Sequence, residues 1–391
     1  MNLRFQQQIL IIEKCLKIRL RDYPERKKES FEQLSNAIND FGKMLREDLD
    51  FDSFQPDVSI INRIENISMN PIFICGAMKS GTTLLTQLLD NHPDLFVLPG
   101  DSHYVNKLNW LKNSNFESIM NSWLHRMINP TGKEPFWFLG PEIKEIEVFS
   151  KYLFYCLKNY RHQDHFLSIV TAIFAAIHVN SDNKKYVKHW VEKTPGNEFK
   201  VSLLNKRYPK SKFIHIIRNP LENIVSLEKL TKLRKRNTTM IEHSISMKNG
   251  FKVAKKNLTK FGKKRYHIIR YEDLVSNPKE VLTNLCRFLE INFHDALLIP
   301  TENGSPAMSN SMFKENRLKG EIVNLSKEER YKSFLSNQQI NNIVDIIYKE
   351  ALYFDYHLGD NRNPFFRVIN STRLHYQAAI QKVKRQFPKN K

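Results

Sequence analysis

The chain has 391 residues, of which 41% are hydrophobic, and its 61 basic and 41 acidic side chains leave a formal net charge of +20. This hydrophobic content can build the core of one large domain or two ordinary ones, which excludes a wholly disordered protein. The positive charge favours anionic partners such as nucleotides, nucleic acid, acidic glycans or anionic lipid, although a basic soluble surface without such a partner has the same composition.

The apolar side chains between Leu3 and Leu20 recur at helical spacing and predict a helix that also carries several basic residues. Two interpretations are open: the helix lies on a membrane surface, or it packs against the body of the protein or another subunit. Leu10 and Ile11 widen its apolar surface beyond one stripe, which favours packing. A charged helical segment follows, and we assign residues 1–65 to an N-terminal helical extension.

From Asn70 onward, apolar runs that predict strands alternate with helical patterns. The predicted strands are Asn70–Gly76, Leu95–Pro99, Lys212–Arg218 and Tyr266–Arg270. Between the second and the third, the pattern is mostly helical, and its most apolar stretch, Phe166–Val179, predicts a buried helix. The alternation predicts an α/β fold with a central, mainly parallel sheet flanked by helices. We assign residues 66–355 to this domain and residues 356–391 to a basic C-terminal tail.

The cysteines and the N-terminus bear on the cellular compartment. The four cysteines are far apart, so neither a zinc site nor a disulfide framework is predicted, and a reducing compartment fits. No signal peptide is recognisable, and no segment reaches the roughly 18 apolar residues that a membrane span requires. We expect a cytoplasmic protein, with peripheral membrane contact through its basic termini as an open alternative.

The first predicted strand runs into the sequence GAMKSGTT, which spans Gly76–Thr83 and precedes a leucine-rich helix. The backbone N–H groups of such a loop, together with the helix N-terminus, bind anions. Gly81 permits close backbone approach, and two threonine hydroxyls can donate to phosphate oxygens. A nucleotide hydrolase requires lysine after the second glycine, but this chain has Thr82 there and its lysine, Lys79, at the crown of the loop. A strand–loop–helix that binds no ligand is the alternative.

Two sequence blocks resemble the sulfotransferases that use 3′-phosphoadenosine-5′-phosphosulfate (PAPS). The stretch GAMKSGTTLLTQLLDNHP is similar to their cofactor loop, and KFIHIIRNPLENIVS is similar to their 3′-phosphate-binding segment. The stretches WVEKTPGN and RYEDLVSNPKEVLTNLCRFLEI also look like family segments. The resemblance covers roughly Pro71 to Leu325. It implies the P-loop nucleotide-hydrolase-like sulfotransferase fold, PAPS as co-substrate and no required metal.

The resemblance implies that the loop holds the 5′ end of the donor. The expected donor-binding residues of the loop are Lys79, Ser80, Gly81, Thr82 and Thr83. Negative charge builds on the bridging oxygen as the S–O bond breaks, and the ammonium group of Lys79 can neutralise it, so Lys79 is also a predicted catalytic residue. Neither a γ-phosphate nor an obligatory Mg²⁺ has to be bound, which explains why the lysine after Gly81 is missing.

The 3′-phosphate of the donor needs fixed positive charge. Arg218 offers a bidentate donor, and Ser226 offers a hydroxyl about two turns into the following helix. A surface salt bridge is the alternative role for Arg218, and the accompanying serine and loop argue against it. Lys314 and Lys319 lie in a stretch that faintly resembles the family's late loop over the nucleotide, and they are weaker candidates.

The acceptor hydroxyl must lose a proton as it attacks sulfur, so a carboxylate or a histidine should lie near Lys79. Glycan sulfotransferases of this family carry the pattern K-E-x-H-F-F, in which the glutamate is the base. The matching stretch is GDSHYV, where Asp101 replaces the glutamate with a shorter side chain, His103 matches the histidine and glycine replaces the lysine. Asp101 is the first candidate base and His103 the second; both can also simply hydrogen-bond a loop. Lys193 matches a family lysine near the donor sulfate and completes the predicted catalytic set.

The sequence therefore predicts an enzyme of the EC 2.8.2 type that transfers a sulfuryl group to a hydroxyl acceptor. The expected acceptor is a carbohydrate or glycolipid, such as an acidic glycan or a lipid-linked sugar. A P-loop kinase or NTPase and a non-enzymatic basic protein that binds nucleic acid or membrane are the alternatives. No nucleic-acid-binding module is recognisable, so no nucleic-acid partner is expected. The basic run Lys229–Arg236 fits either an acidic acceptor groove or a solvated helix face.

Overall fold

The structure is a computed structural model that describes residues 3–21, 28–128, 143–159, 165–178, 187–309, 311, 318–324, 329–359 and 363–386. Five parallel strands form the central sheet in the order β2-β3-β1-β4-β5. They are β1 (Ile72–Cys75), β2 (Leu95–Asp101), β3 (His189–Lys193), β4 (Lys212–Ile217) and β5 (Tyr266–Arg270). The predicted α/β fold with a mainly parallel sheet is thus confirmed. A short antiparallel hairpin consists of β6 (Thr301–Glu302) and β7 (Ser305–Pro306).

Helices cover both faces of the sheet. In chain order they are α1 (Leu3–Arg21), α2 (Lys28–Asp48), α3 (Val58–Ser68), α4 (Thr82–Leu89), α5 (Leu108–Asn113), α6 (Phe116–Ile128), α7 (Ile143–Asn159), α8 (His165–His178), α9 (Val201–Arg207), α10 (Pro220–Leu233), α11 (Met240–Phe261), α12 (Tyr271–Ser276), α13 (Pro278–Leu289), α14 (Tyr331–Phe334), α15 (Asn337–Leu352) and α16 (Pro364–Gln386). None of the helices in the described part of the chain has the length and apolar content that crossing a membrane requires.

Strand β1 shows how the sheet separates two hydrophobic cores. All four of its residues are buried. Phe73 and Cys75 belong to the core that contains α1 to α3 and α6 to α9, whereas Ile72 and Ile74 belong to the core that contains α4 and α13. Successive side chains of a strand point to opposite faces, so a strand covered on both faces needs a continuous apolar run. That run is what made β1 recognisable in the sequence.

The N-terminal helices pack against the body of the protein. Phe5 and Ile12 of α1 are buried in the first core, and the ring of Phe5 meets that of Phe41 of α2 edge-on at 6.0 Å. Leu10 and Ile11 lie on the opposite, exposed side of α1. The predicted packing of the N-terminal helix is therefore confirmed for these residues.

Several elements were not predicted from the sequence, among them strand β3 and helix α3. Strand β3 lies between β2 and β1, but its sequence HWVEK ends in two charged residues, Glu192 and Lys193, and does not resemble a buried strand. The tertiary structure buries both because each finds polar partners. Helix α3 begins after Pro56, and its N-cap is Asp57, whose carboxylate accepts a hydrogen bond from the backbone N–H of Ser59 at 2.7 Å.

Candidate active site

The candidate site lies at the carboxyl edge of the sheet. Strand β1 leads into the loop 76–81, β2 ends at Asp101, β3 ends at Lys193, β4 leads to Arg218 and β5 leads to Tyr271. In open parallel sheets, ligands bind outside the carboxyl ends of the strands, where the strand order reverses. Here the order reverses between β1 and β4, which are hydrogen-bonded neighbours. The fold therefore collects residues from five distant segments at one edge.

Two glycines allow the loop after β1 to approach its neighbours closely. A Cβ atom at Gly76, whose φ is 144°, would lie 2.6 Å from the carbonyl oxygen of Ile216. A Cβ atom at Gly81, whose φ is 109°, would lie 2.5 Å from the ring of Tyr271. Between them, Lys79 also has a positive φ of 67°, which costs a non-glycine residue roughly 1–2 kcal/mol. The two glycines adopt these angles without steric cost, whereas Lys79 is held in a conformation that a residue with a Cβ atom does not favour.

The segment after β4 supplies the contacts that hold the crown of this loop. Nη1 of Arg218 donates a hydrogen bond to the carbonyl oxygen of Lys79 at 3.0 Å. The buried amide of Asn223, oriented to satisfy both of its atoms, donates to the carbonyl of Met78 at 3.2 Å and accepts from the N–H of Ser80 at 3.1 Å. Helix α10 begins at Pro220, where the missing backbone N–H of proline costs little, and Asn223 lies in its first turn. The two predicted sequence blocks are therefore in direct contact.

One cavity brings the two blocks together with residues from later in the chain. Its lining residues are Lys79, Gly81, Thr82, Thr83, Leu84, Gln87, Arg218, Ser226, Tyr271, Pro300, Ala307, Ser309, Ser311, Glu321, Val323 and Arg330. Six of the seven predicted donor-binding residues are among them. The seventh, Ser80, is 1% exposed and its side chain does not line the cavity.

The guanidinium group of Arg218 is oriented by an aromatic ring and a carboxylate. It lies 4.5 Å from the centre of the Tyr271 ring, and Nη2 is 3.9 Å from Oε2 of Glu222. Glu222 also accepts a hydrogen bond from Arg330 at 3.2 Å, so two arginines converge on one carboxylate. Nε of Arg218 is buried and has no hydrogen-bond partner among the residues that the structure describes. A buried donor without a partner is unfavourable, and a bound anion would satisfy it.

Asp101 and Lys193 form an ion pair beside the loop. They are paired in register at the ends of β2 and β3. The register between these two strands shifts between Val97 and Asp101. The ammonium group of Lys193 also lies 3.5 Å from Oγ1 of Thr83, and the side chain is 6% exposed. Because β2 continues to Asp101 rather than ending at Pro99 as predicted, the carboxylate is part of the sheet edge. The structure thus places one candidate base, one candidate cation and the loop in contact.

A buried carboxylate organises the turn that carries His103. Glu192 accepts hydrogen bonds from Ser102 at 2.5 Å, Thr194 at 2.7 Å and Asn197 at 2.7 Å. Burial raises the pKa of Glu192, and these three donors oppose the rise. The backbone N–H of His103 donates to Oγ1 of Thr194 at 3.0 Å. The network ties the end of β2 to the end of β3.

His103 itself is able to accept a proton at neutral pH. Partial burial lowers the pKa of its imidazole, the cations Arg126, Lys107 and Lys193 lower it further, and Asp101 opposes them. The pKa therefore lies below the ordinary value of 6.5, and the ring is neutral at pH 7. His103 has a positive φ of 51°, which turns the chain away from β2.

The comparison with known families decides the identity. Residues 71–295, more than half of the chain, match the model of the sulfotransferase family. The chain belongs to the sulfotransferase family. This confirms the resemblance that the two sequence blocks indicated, and it does not favour a kinase or NTPase. Among the residues that the structure describes, no group of three or more His, Cys, Asp or Glu side chains is placed to hold a metal ion.

One curated protein resembles this sulfotransferase over much of its length. A protein of Aquifex aeolicus described as uncharacterized is 25% identical over 273 residues, which are 69% of this chain and 32% of that protein. The sulfotransferase thus matches about a third of this relative's length.

Several solved structures are also similar to the chain. The sulfotransferase domain of the olefin synthase from Synechococcus PCC 7002 is 19% identical, with a TM-score of 0.43 and coverage of 73% of this chain and 94% of that chain. A sulfotransferase from Alicyclobacillus acidocaldarius is 14% identical, with a TM-score of 0.39 and coverage of 75% and 97%. Retinol dehydratase in complex with androsterone and the inactive cofactor PAP is 13% identical, with a TM-score of 0.33 and coverage of 78% and 88%. These likenesses are too distant to support an argument about the substrate.

Some cavity residues of the sulfotransferase were not predicted as site residues. Tyr271 follows β5 in the segment RYEDL, which resembles the family, but nothing in that segment shows that its ring stacks on Arg218. Arg330 has no motif around it, and only the chain path brings it to Glu222. Asn223 lies inside the predicted 3′-phosphate block and does not line the cavity, and nothing in the sequence indicates that its amide contacts the loop.

Other predicted residues lie elsewhere or outside the described residues. Lys319 is exposed and does not line the cavity, and Lys314 lies outside the described part of the chain. The basic run Lys229–Arg236 contributes no residue to the cavity lining. Asp101, His103 and Lys193 do not line the cavity. Lys193 adjoins it through Thr83, and Asp101 is paired with Lys193.

Proposed function

We propose that this sulfotransferase transfers the sulfuryl group of PAPS to a hydroxyl group of its acceptor. The observation that carries the proposal is that one cavity is lined both by Lys79 with residues 81–83 and by Arg218, Ser226 and Arg330. The first group offers amides, hydroxyls and an ammonium group, and the second offers two guanidinium groups and a hydroxyl. A nucleotide with phosphates at both its 5′ and its 3′ positions matches two such groups of anion-binding residues.

The residues present fit the donor. The unpartnered Nε of Arg218 and the glycine positions where a Cβ would collide both indicate a site built around an anion and a closely approaching backbone. In the proposal, Thr82, Thr83 and the loop amides bind the 5′-phosphate, whereas Arg218 and Ser226 bind the 3′-phosphate, with Arg330 as an additional cation. Ser80 contributes its backbone, since its side chain is buried.

Charge neutralisation is the main catalytic contribution that we assign to this chain. When bound, the donor supplies the sulfuryl group and the phosphate that leaves. Lys79 projects from the crown of a loop whose backbone is held by Arg218, so its ammonium group can stabilise the negative charge that develops on the leaving oxygen. Lys193, beside Thr83, supplies a second positive charge.

Asp101 is the proposed general base, and His103 is the second candidate. A base must lie within hydrogen-bond reach of the hydroxyl that it deprotonates, next to the reacting centre. The contacts of Asp101 with Lys193, and of Lys193 with Thr83, link the carboxylate to the donor loop. Proton transfer to Asp101 would weaken its ion pair and leave Lys193 available to the sulfate oxygens.

The acceptor is proposed to be a carbohydrate or glycolipid. The stretch GDSHYV resembles the corresponding segment of glycan sulfotransferases, which supports this class. Trp110 is partly exposed near this segment, and the ammonium group of Lys107 lies 4.7 Å from its ring centre. Arg126 donates to the backbone carbonyl of Asp101, so cations adjoin the proposed base. This charge supports an acceptor that carries an acidic group as well as its hydroxyl.

The proposal is tested by donor binding and by transfer. Isothermal titration calorimetry should show that the protein binds 3′-phosphoadenosine 5′-phosphate but does not bind ATP with Mg²⁺. Transfer of labelled sulfate from PAPS should then be screened over glycans, glycolipids and simple alcohols. Lys79→Ala should retain the fold and lose about 10²–10³-fold in kcat. Binding of ATP in preference to the bisphosphate, or full turnover by the Lys79 variant, would refute the proposal.

A further inference from the structure

Helix α16 presents apolar side chains to solvent. Its large apolar side chains that are at least one third exposed are Phe365, Phe366, Val368, Ile369, Tyr376, Ile380 and Val383. We call these seven residues the outer face of α16. Phe365 and Tyr376 are 68% and 69% exposed, which is the state of a residue with hardly any protein neighbours. Each of them lies three, four or seven residues from another member of the set, so they form one stripe along the helix.

The opposite side of α16 is attached to the protein by polar contacts and by two buried apolar side chains, Leu374 and Ala378. Nδ2 of Asn370 donates to Asp345 of α15 at 2.5 Å, and Arg367 lies 4.0 Å from the same carboxylate. Near the end of the helix, Arg385 pairs with Glu242 of α11 at 2.5 Å. A surface helix of a soluble protein normally buries its apolar stripe and exposes its polar side. In α16 the broad apolar stripe faces outward instead, which indicates that it contacts another apolar surface outside this chain.

The charge of α16 has a single sign. Its sequence PFFRVINSTRLHYQAAIQKVKRQ contains five Arg and Lys residues and no Asp or Glu. Arg373, Lys382 and Lys384 are exposed beside the outer face. Nη1 of Arg385 donates to the carbonyl of Asn237, which places this end of α16 next to the exposed basic residues 234–236. Two basic runs that are far apart in the sequence thus adjoin one apolar stripe.

We propose that the outer face of α16 binds the surface of an anionic lipid bilayer. A helix with exposed aromatic and aliphatic residues, flanked by Lys and Arg and free of acidic residues, lies in the interface of a membrane with its apolar side in the acyl boundary and its cations on lipid phosphates. Pairing of α16 with a second copy would bring two acid-free, basic helices together, which like-charge repulsion opposes. This inference does not depend on the proposed sulfuryl transfer, because none of the residues of α16 lines the donor cavity.

The test is co-sedimentation with lipid vesicles. The purified 391-residue chain is mixed with vesicles of phosphatidylcholine alone and with vesicles in which about a third of the lipid is phosphatidylglycerol. The variant Phe365→Ser/Ile369→Ser/Tyr376→Ser removes exposed apolar groups from the outer face. The matched control is Leu10→Ser/Ile11→Ser, which removes exposed apolar groups from α1. Circular dichroism and donor titration check that both variants fold and retain the cavity.

The wild type is expected to sediment with the anionic vesicles and to partition at least about tenfold less onto neutral ones. The triple variant should lose at least about tenfold in partitioning onto the anionic vesicles, while the control should match the wild type. Absence of wild-type sedimentation would overturn the proposal. The proposal would also be overturned if the α1 control lost sedimentation while the α16 variant sedimented like the wild type. A third contrary result is a wild-type protein that does not bind vesicles but forms a concentration-dependent dimer in ultracentrifugation, which the triple variant abolishes.

Discussion

Replacing Gly81 with alanine tests how closely the loop must approach the end of β5. The added Cβ would lie 2.5 Å from Cδ2 of Tyr271, which is a steric clash. It would also lie 3.0 Å from Cδ1 of Ile216, which is shorter than an ordinary van der Waals contact. The ring of Tyr271 is not free to move away, because the guanidinium group of Arg218 packs on it at 4.5 Å. The substitution must therefore displace the loop, the ring or both, and each of them lines the donor cavity.

Gly196 provides a matched control for this substitution. Its backbone angles, φ 97° and ψ −1°, are close to the φ 109° and ψ 6° of Gly81, but a Cβ at Gly196 meets nothing within 4 Å. Placing alanine in this region of backbone space costs about 1–3 kcal/mol at either position. The overlap with Tyr271 adds about 1–3 kcal/mol at Gly81 alone. Gly81→Ala should thus lower the free energy of unfolding by about 2–6 kcal/mol and Gly196→Ala by about 1–3 kcal/mol.

Urea unfolding measures the stability difference, and calorimetric titration with 3′-phosphoadenosine 5′-phosphate measures donor affinity. We expect Gly81→Ala to weaken donor binding by at least about tenfold, which is about 1.4 kcal/mol, whereas Gly196→Ala should bind like the wild type. If both variants lose the same stability and both bind the donor normally, the close approach of the loop to Tyr271 has no role in forming the site.

Four further predictions follow from individual side chains. Arg218→Ala should raise the donor Kd by about 10–100-fold in titration, because a charged hydrogen bond contributes about 1.5–3 kcal/mol; unchanged affinity would remove Arg218 from the site. Asp101→Asn should reduce kcat by about 10²–10⁴-fold in a transfer assay with little change in donor affinity. If this variant keeps wild-type kcat, Asp101 is not the base and His103 is the remaining candidate. If His103 is the base, kcat should decline as pH falls through a value below 6.5, because the ring acts only when deprotonated, and His103→Gln should remove that limb of the pH profile. Burial lowers the pKa of His215 to about 3, so between about pH 3 and 6.5 the unfolded chain binds one more proton there than the folded protein. Stability should fall with falling pH across this window by up to about 1.4 kcal/mol per unit, and His215→Gln, followed by urea unfolding at several pH values, should reduce that slope; an identical slope would contradict the buried, neutral imidazole.

The family and most of the central sheet could be predicted from local sequence patterns. β1, β2, β4 and β5 are runs of apolar residues next to glycine, proline or a charged residue, and a buried parallel strand leaves such a run in any sequence. The loop GAMKSGTT and the block ending at Ser226 are local motifs as well. β3 could not be predicted in this way, because Glu192 and Lys193 make it polar and their partners come from elsewhere in the chain.

The assembly of the site depends on contacts between residues that are far apart in the sequence. Asp101 and Lys193 become an ion pair only because β2 and β3 are neighbours in register. Tyr271 contacts Arg218 because β4 and β5 are neighbouring strands. Arg330 contacts Glu222 because the chain returns to the site after the sheet. No local pattern encodes these distances, since side-chain spacing along a strand or helix reports only on its own element.

The sequence by itself determined which anion-binding loop this chain carries and which lysine stands at its crown, because both depend on a few consecutive residues. Only the tertiary structure decided that Arg218 supports the loop as well as facing the cavity, and that Lys193 is paired with Asp101. It also decided that α16 turns its apolar stripe outward, since the direction of an amphipathic helix is set by what it packs against. Local sequence specifies an element, whereas burial and charge pairing between distant elements specify how that element is used.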